Sequence, residues 1–118
     1  MKGKCLLSMS LAILIGVAFS APAAAGPLED YGARGAKLFA DPGLGTSGKS
    51  CASCHATGKV WAGKPRFPKF ALGTVRTLDQ AIQTCVVNPL QGQPLAWDDE
   101  RLTALSVFID GIYSPPMK

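Results

Sequence analysis

A chain of 118 residues, 47% hydrophobic and 17% charged, holds one small domain and excludes an enzyme with separate cofactor and substrate domains. Twelve Lys and Arg face eight Asp and Glu, a formal +4. The cations are scattered rather than clustered on one stretch, which argues against a nucleic-acid partner or an anionic membrane face.

The chain begins with Lys2 and Lys4, an uncharged apolar run from Cys5 to Ala21, and the small residues Ala23, Ala24 and Ala25 before the first acid, Glu29. This is the pattern of a secretory signal peptide, predicted to span residues 1–25, with cleavage after Ala25 and export to the periplasm. Ser8, Ser10, Gly16 and Ser20 break the apolar run, which therefore fits a cleavable leader better than a membrane-spanning helix; no stable span is expected after processing. Cys5 is expected to leave with the leader. Cleavage removes two bases and no acid, so the 93 residues from Gly26 to Lys118 form the predicted mature domain with a formal +2. A domain of that size buries a limited core and benefits from a disulfide, a metal or a buried cofactor.

Residues 28–40 carry Leu28, Tyr31, Leu38 and Phe39 and predict a helix ended by Asp41-Pro42-Gly43. Gly32 and Gly35 inside it cost roughly 1 kcal/mol each relative to Ala, a cost explained where another helix crosses closely. Next comes Cys51-Ala52-Ser53-Cys54-His55, the C-x-x-C-H pattern of covalent c-type haem attachment. Two thiols three positions apart suit addition to the two vinyl groups of one porphyrin, and the histidine after the second is placed to bind the iron. Cys51 and Cys54 are thus the attachment residues and His55, the chain's sole histidine, the proximal ligand of a single covalent haem c. A thioredoxin-like site would need a βαβ frame, and a zinc site four converging ligands. The odd count of Cys51, Cys54 and Cys85 after processing also speaks against simple disulfide pairing.

Residues 57–73 mix Gly, Pro, Lys, Arg and aromatics without periodicity and predict an irregular loop over the porphyrin, with Trp61, Phe67 and Phe70 as packing candidates. Residues 77–88 predict a second helix, N-capped by Thr77, with Leu78, Ile82, Cys85 and Val86 on one side and its stop at Asn88-Pro89. Residues 98–113 predict a third. Leu102, Leu105, Phe108, Ile109 and Ile112 define its apolar face, and Asp98, Asp99 and Glu100 favour its N-terminus. Leu105 and Phe108 are the expected neighbours of Gly35, where the two terminal helices cross.

This order of elements resembles the class I cytochrome c domain over residues 28–113. The resemblance implies an all-α fold of about three helices, with irregular loops wrapped around one covalently bound haem. The run Thr77-Leu78-Asp79-Gln80-Ala81-Ile82-Gln83-Thr84-Cys85, with Gly92, Pro94-Leu95 and residues 102–109, resembles more closely the haem domains of thiosulfate dehydrogenases and sulfur-oxidation cytochromes. That likeness implies Cys85 as the distal iron ligand. Met117, the sole methionine after processing, is the alternative, although it follows the last helix; Asn88 or an open position completes the set.

The leading expectation is a one-electron carrier that docks transiently with redox proteins and needs no substrate pocket. A haem enzyme, or subunit of one, oxidising thiosulfate or related anions near Lys64, Arg66 and Lys69 is the second; a haem ligand sensor is the third.

Overall fold

The computed structural model describes residues 26–55, 61 and 63–113. The signal peptide expected at 1–25, the first part of the loop expected at 57–73 and the ligand candidate Met117 lie outside the described residues. The described chain is mostly helical: α1 spans Pro27–Ala40, α2 Cys51–Cys54, α3 Leu78–Val87 and α4 Glu100–Tyr113, with a 3-10 turn at Pro42–Leu44. The count of about three helices was therefore one short, because the attachment motif itself forms a helical turn. Among the described residues no helix is long and apolar enough to cross a membrane.

The stretch expected to be irregular contains a two-stranded antiparallel hairpin, β1 (Lys69–Ala71) and β2 (Thr74–Arg76). Its two turn residues, Leu72 and Gly73, have φ of +55° and +85°. Positive φ at both central positions belongs to the type I′ turn, which is ordinarily signalled by Asn-Gly or Asp-Gly. A leucine in the first position hides that signal, and three-residue strands are too short to show a period.

α1 and α4 cross at Gly35. A Cβ there would overlap the carbonyl oxygen of Ala104 and lie 2.6 Å from Phe108 Cβ. Phe108 was expected at this crossing; the second contact is Ala104 in place of Leu105, which turns inward and is fully buried. Phe39, Val86, Leu102, Leu105 and Ile109 form the centre of the core, with Leu90 and Leu95 closing it from the chain between α3 and α4. That connecting chain is irregular yet held at two points. Gln83 receives Leu95 N–H at 2.9 Å and donates back to Leu95 O, and Leu90 O accepts from the amides of Thr46 and Ser47 at 2.9 and 3.0 Å. Gly45 permits the second contact, since any Cβ would strike Leu90 O.

α3 begins as expected. Thr77 Oγ1 accepts from Gln80 N–H at 3.3 Å, and Gln80 Oε1 accepts from Thr77 N–H at 3.0 Å, a reciprocal capping box. Thr77→Ala is expected to cost about 1 kcal/mol, read as a lower denaturant midpoint at unchanged slope. At α4 the acids work differently from a plain dipole effect: Asp99 Oδ1 accepts from Arg101 N–H at 2.9 Å while its carboxylate holds the Arg101 guanidinium at 2.7 Å. That guanidinium keeps the Asp99 carboxyl below the usual carboxylate range.

Candidate functional site

The elements converge on one cleft of about 300 Å³, lined mostly by apolar side chains. Its first wall is the turn α2. Ser53 Oγ accepts from Ser50 N–H at 2.9 Å and His55 N–H donates to Cys51 O at 3.0 Å, so the five-residue motif is closed into one turn by its own groups and by Ser50 just before it. Ser50 is the N-cap of this turn and Ser53 its N3 partner in a capping box. Cys51, Cys54 and His55 all line the cleft.

The second wall is α3, which presents Leu78, Ile82 and Cys85 at three-and-four spacing. Cys85 therefore shares the cleft with the attachment motif. All three thiols are free. Burial, with nearby Cys85 adding to the effect, pushes the Cys51 thiol up to about 11. Burial likewise raises Cys85, with Cys54 adding to the shift, and lowers the His55 imidazole. The floor is Phe39, Ile109 and Tyr113, all buried.

Trp61 and Phe67 line the cleft as expected. The Trp61 ring lies 4.4 Å from the His55 ring, 5.8 Å from Phe39 and 6.0 Å from Tyr113, which fixes the face of the imidazole within an aromatic group. Phe70 does not belong there. It is 74% exposed because β1 alternates, turning Lys69 and Ala71 to the cleft and Phe70 to solvent. Of the three cations expected to meet an anion, Arg66 is engaged by Asp110 at 2.6 Å, Lys64 is exposed, and Lys69 lines the cleft.

The donor chemistry fits a covalent porphyrin. Two thiols and an imidazole sit on one turn and a third thiol on a different helix, around an apolar space within the usual range for small-molecule and cofactor pockets. The donors are spread around the wall: among the described residues no three His, Cys, Asp or Glu side chains gather closely enough to hold a bare metal ion.

A family model for the SoxA/TsdA cytochrome c domain matches residues 34–112. The chain belongs to that family. The match runs from α1 through the Cys-x-x-Cys-His motif, the hairpin and α3 to the penultimate residue of α4, so the described lining of the cleft falls within the SoxA/TsdA cytochrome c domain apart from Tyr113, one residue beyond it. A cytochrome c domain of this kind is a haem electron-transfer module, with the haem held covalently. No curated protein and no solved structure matches the chain.

Proposed function

We propose that this chain is an exported mono-haem cytochrome c that carries single electrons between redox proteins. The observation that carries the reading is the shared apolar cleft of Cys51, Cys54, His55 and Cys85. When bound, the haem supplies a one-electron iron couple. Cys51 and Cys54 hold the group by thioether bonds, and His55 is the proximal ligand, oriented by Trp61. Cys85 is the distal ligand, donating electron density as thiolate and lowering the potential relative to a methionine. Ile82, Leu90 and Ile109 exclude water from the site. The mild formal charge suits brief docking with redox partners in the periplasm, which the leader in residues 1–25 supports.

The reading is tested by producing the protein in a host competent for cytochrome c maturation, with oxidised and reduced absorption, EPR and intact mass. One haem mass and a low-spin thiolate EPR signal are expected. Cys85→Ala is expected to abolish the thiolate signal entirely and raise the potential, while Met117→Leu leaves the signal intact. A methionine-to-iron charge-transfer band in place of the thiolate signal, kept in Cys85→Ala and lost in Met117→Leu, would assign the distal position to Met117.

The SoxA/TsdA family match favours a second reading, oxidation of thiosulfate or a related sulfur anion. Steady-state thiosulfate turnover by the purified holoprotein would establish it, and electron exchange without turnover would leave the carrier.

A further inference from the structure

Counted over the whole chain the cations are scattered, but the acids are not. Between Asp41 and Asp79 stand Lys49, Lys59, Lys64, Arg66, Lys69 and Arg76, with no Asp or Glu among them. The hairpin lies in this stretch, and its register sorts residues along the ribbon. Lys69 pairs with Arg76 at the open end, Phe70 with Val75 one step nearer the turn, and Leu72 stands in the turn itself.

The tip is apolar and bare. Phe70 is 74% exposed, Val75 68% and Leu72 58%, three of the six exposed large hydrophobics among the described residues. Cross-strand partners share a face, so Phe70 and Val75 form one outward apolar pair just behind Leu72. The cations gather at the base instead. Lys69 Nζ donates to Tyr113 Oη at 2.9 Å and back to Pro65 O at 3.0 Å, and exposed Lys64 is the residue before Pro65. Three residues of strand at about 3.4 Å each put Leu72 about 10 Å ahead of the Lys69 backbone.

Size and charge select the occupant. Three side chains on a ribbon two strands wide supply far less than the roughly 800 Å² that each partner gives to a standard protein interface. A second copy of the chain would bring like charge against like charge. A lipid surface asks for no complementary shape, only apolar side chains to bury to a depth of about 5–10 Å and anionic headgroups for the cations behind them.

We propose that the hairpin is a reversible membrane-docking wedge: Phe70, Leu72 and Val75 dip into the interface of an anionic lipid surface while Lys64, Lys69 and Arg76 meet its phosphate headgroups. The contact is peripheral and needs no spanning helix. Because Leu72 also lines the cleft, docking brings the cleft's edge to the lipid surface.

The test co-sediments the matured holoprotein, of leader-free mass, with vesicles of phosphatidylglycerol in phosphatidylcholine and of phosphatidylcholine alone. Binding is expected on the anionic vesicles, far weaker on the neutral ones, and reduced by salt. Phe70→Ser and Leu72→Asn are each expected to weaken it about tenfold. Asparagine suits the left-handed turn position better than leucine, so a loss in Leu72→Asn does not come from a melted hairpin. Lys64→Gln is expected to weaken binding about fivefold with a shallower salt dependence. Phe70→Trp is expected to retain it, since indole favours the interface. A native protein that ignores anionic vesicles would overturn the proposal, as would binding that survives Phe70→Ser and Leu72→Asn combined. Hairpin variants that keep vesicle binding but slow electron exchange with an acidic blue-copper protein, or abolish a native dimer in sedimentation, would give the surface to a protein partner or a second copy instead.

Discussion

Replacing both Cys51 and Cys54 with alanine is expected to yield a colourless protein of bare polypeptide mass, melting about 15–25 °C below the native holoprotein. Neither remaining donor, His55 or Cys85, bonds to the porphyrin periphery, so the group is left with reversible iron coordination alone and is lost on purification. The thermal consequence follows from the cleft. Leaving a dry cavity costs roughly 24 cal/mol per Å³. Over about 300 Å³ that is an upper bound of about 7 kcal/mol, which the cleft's opening to water reduces to about half. Even half is a large share of the roughly 5–15 kcal/mol that holds a small domain folded. Single Cys51→Ala or Cys54→Ala variants retain one thioether and are expected to keep the colour with a changed reduced spectrum. Intact mass, absorption and calorimetry on the three variants check the order; a double variant still carrying haem mass would assign the attachment elsewhere.

Gly35→Ala is expected to destabilise the protein by about 2 kcal/mol and lower Tm by about 10 °C, while Gly32→Ala in the same helix is expected to stabilise it by about 0.5–1 kcal/mol. The opposite signs come from the α1–α4 crossing. A methyl group at Gly35 overlaps the Ala104 carbonyl, which is backbone and cannot rotate aside, so the helices must move apart. Overpacking of this kind costs about 3 kcal/mol, against about 1 kcal/mol of helix propensity regained. At Gly32 the nearest atom is Val107 Cγ1 at 4.0 Å, an ordinary contact, so the propensity gain stands alone. Equal effects at the two sites, read in denaturant titrations of the holoprotein, would mean that the helices do not meet at Gly35.

The elements with a strong local signal were legible in the chain. Thr77 with Gln80 caps α3, the apolar spacing of α4 survives in Leu102, Leu105 and Ile109, and the glycine inside α1 marks the helix crossing. The hairpin was not legible, because Leu72 holds a left-handed turn position without the residue type that announces it. Phe70 was misassigned for the same reason: its direction is set by strand alternation, invisible until the strand is recognised. Nor does sequence distance hint that Arg66 would be taken by Asp110, 44 positions away, or that Lys69 would rest on Tyr113.

The linear order of residues by itself determined the chemistry on offer: two thiols and an imidazole within one turn, a third thiol on an amphipathic helix, and a leader pattern ahead of them. Those features depend on neighbours within a few positions, where covalent spacing leaves little freedom. Only the folded chain decided that Cys85 opens into the same cleft as Cys51, Cys54 and His55, and that Lys69 lines it from the hairpin while Phe70 beside it points away. Such meetings are set by how α1, α3, α4 and the hairpin pack, that is, by burial of apolar surface summed over the whole domain.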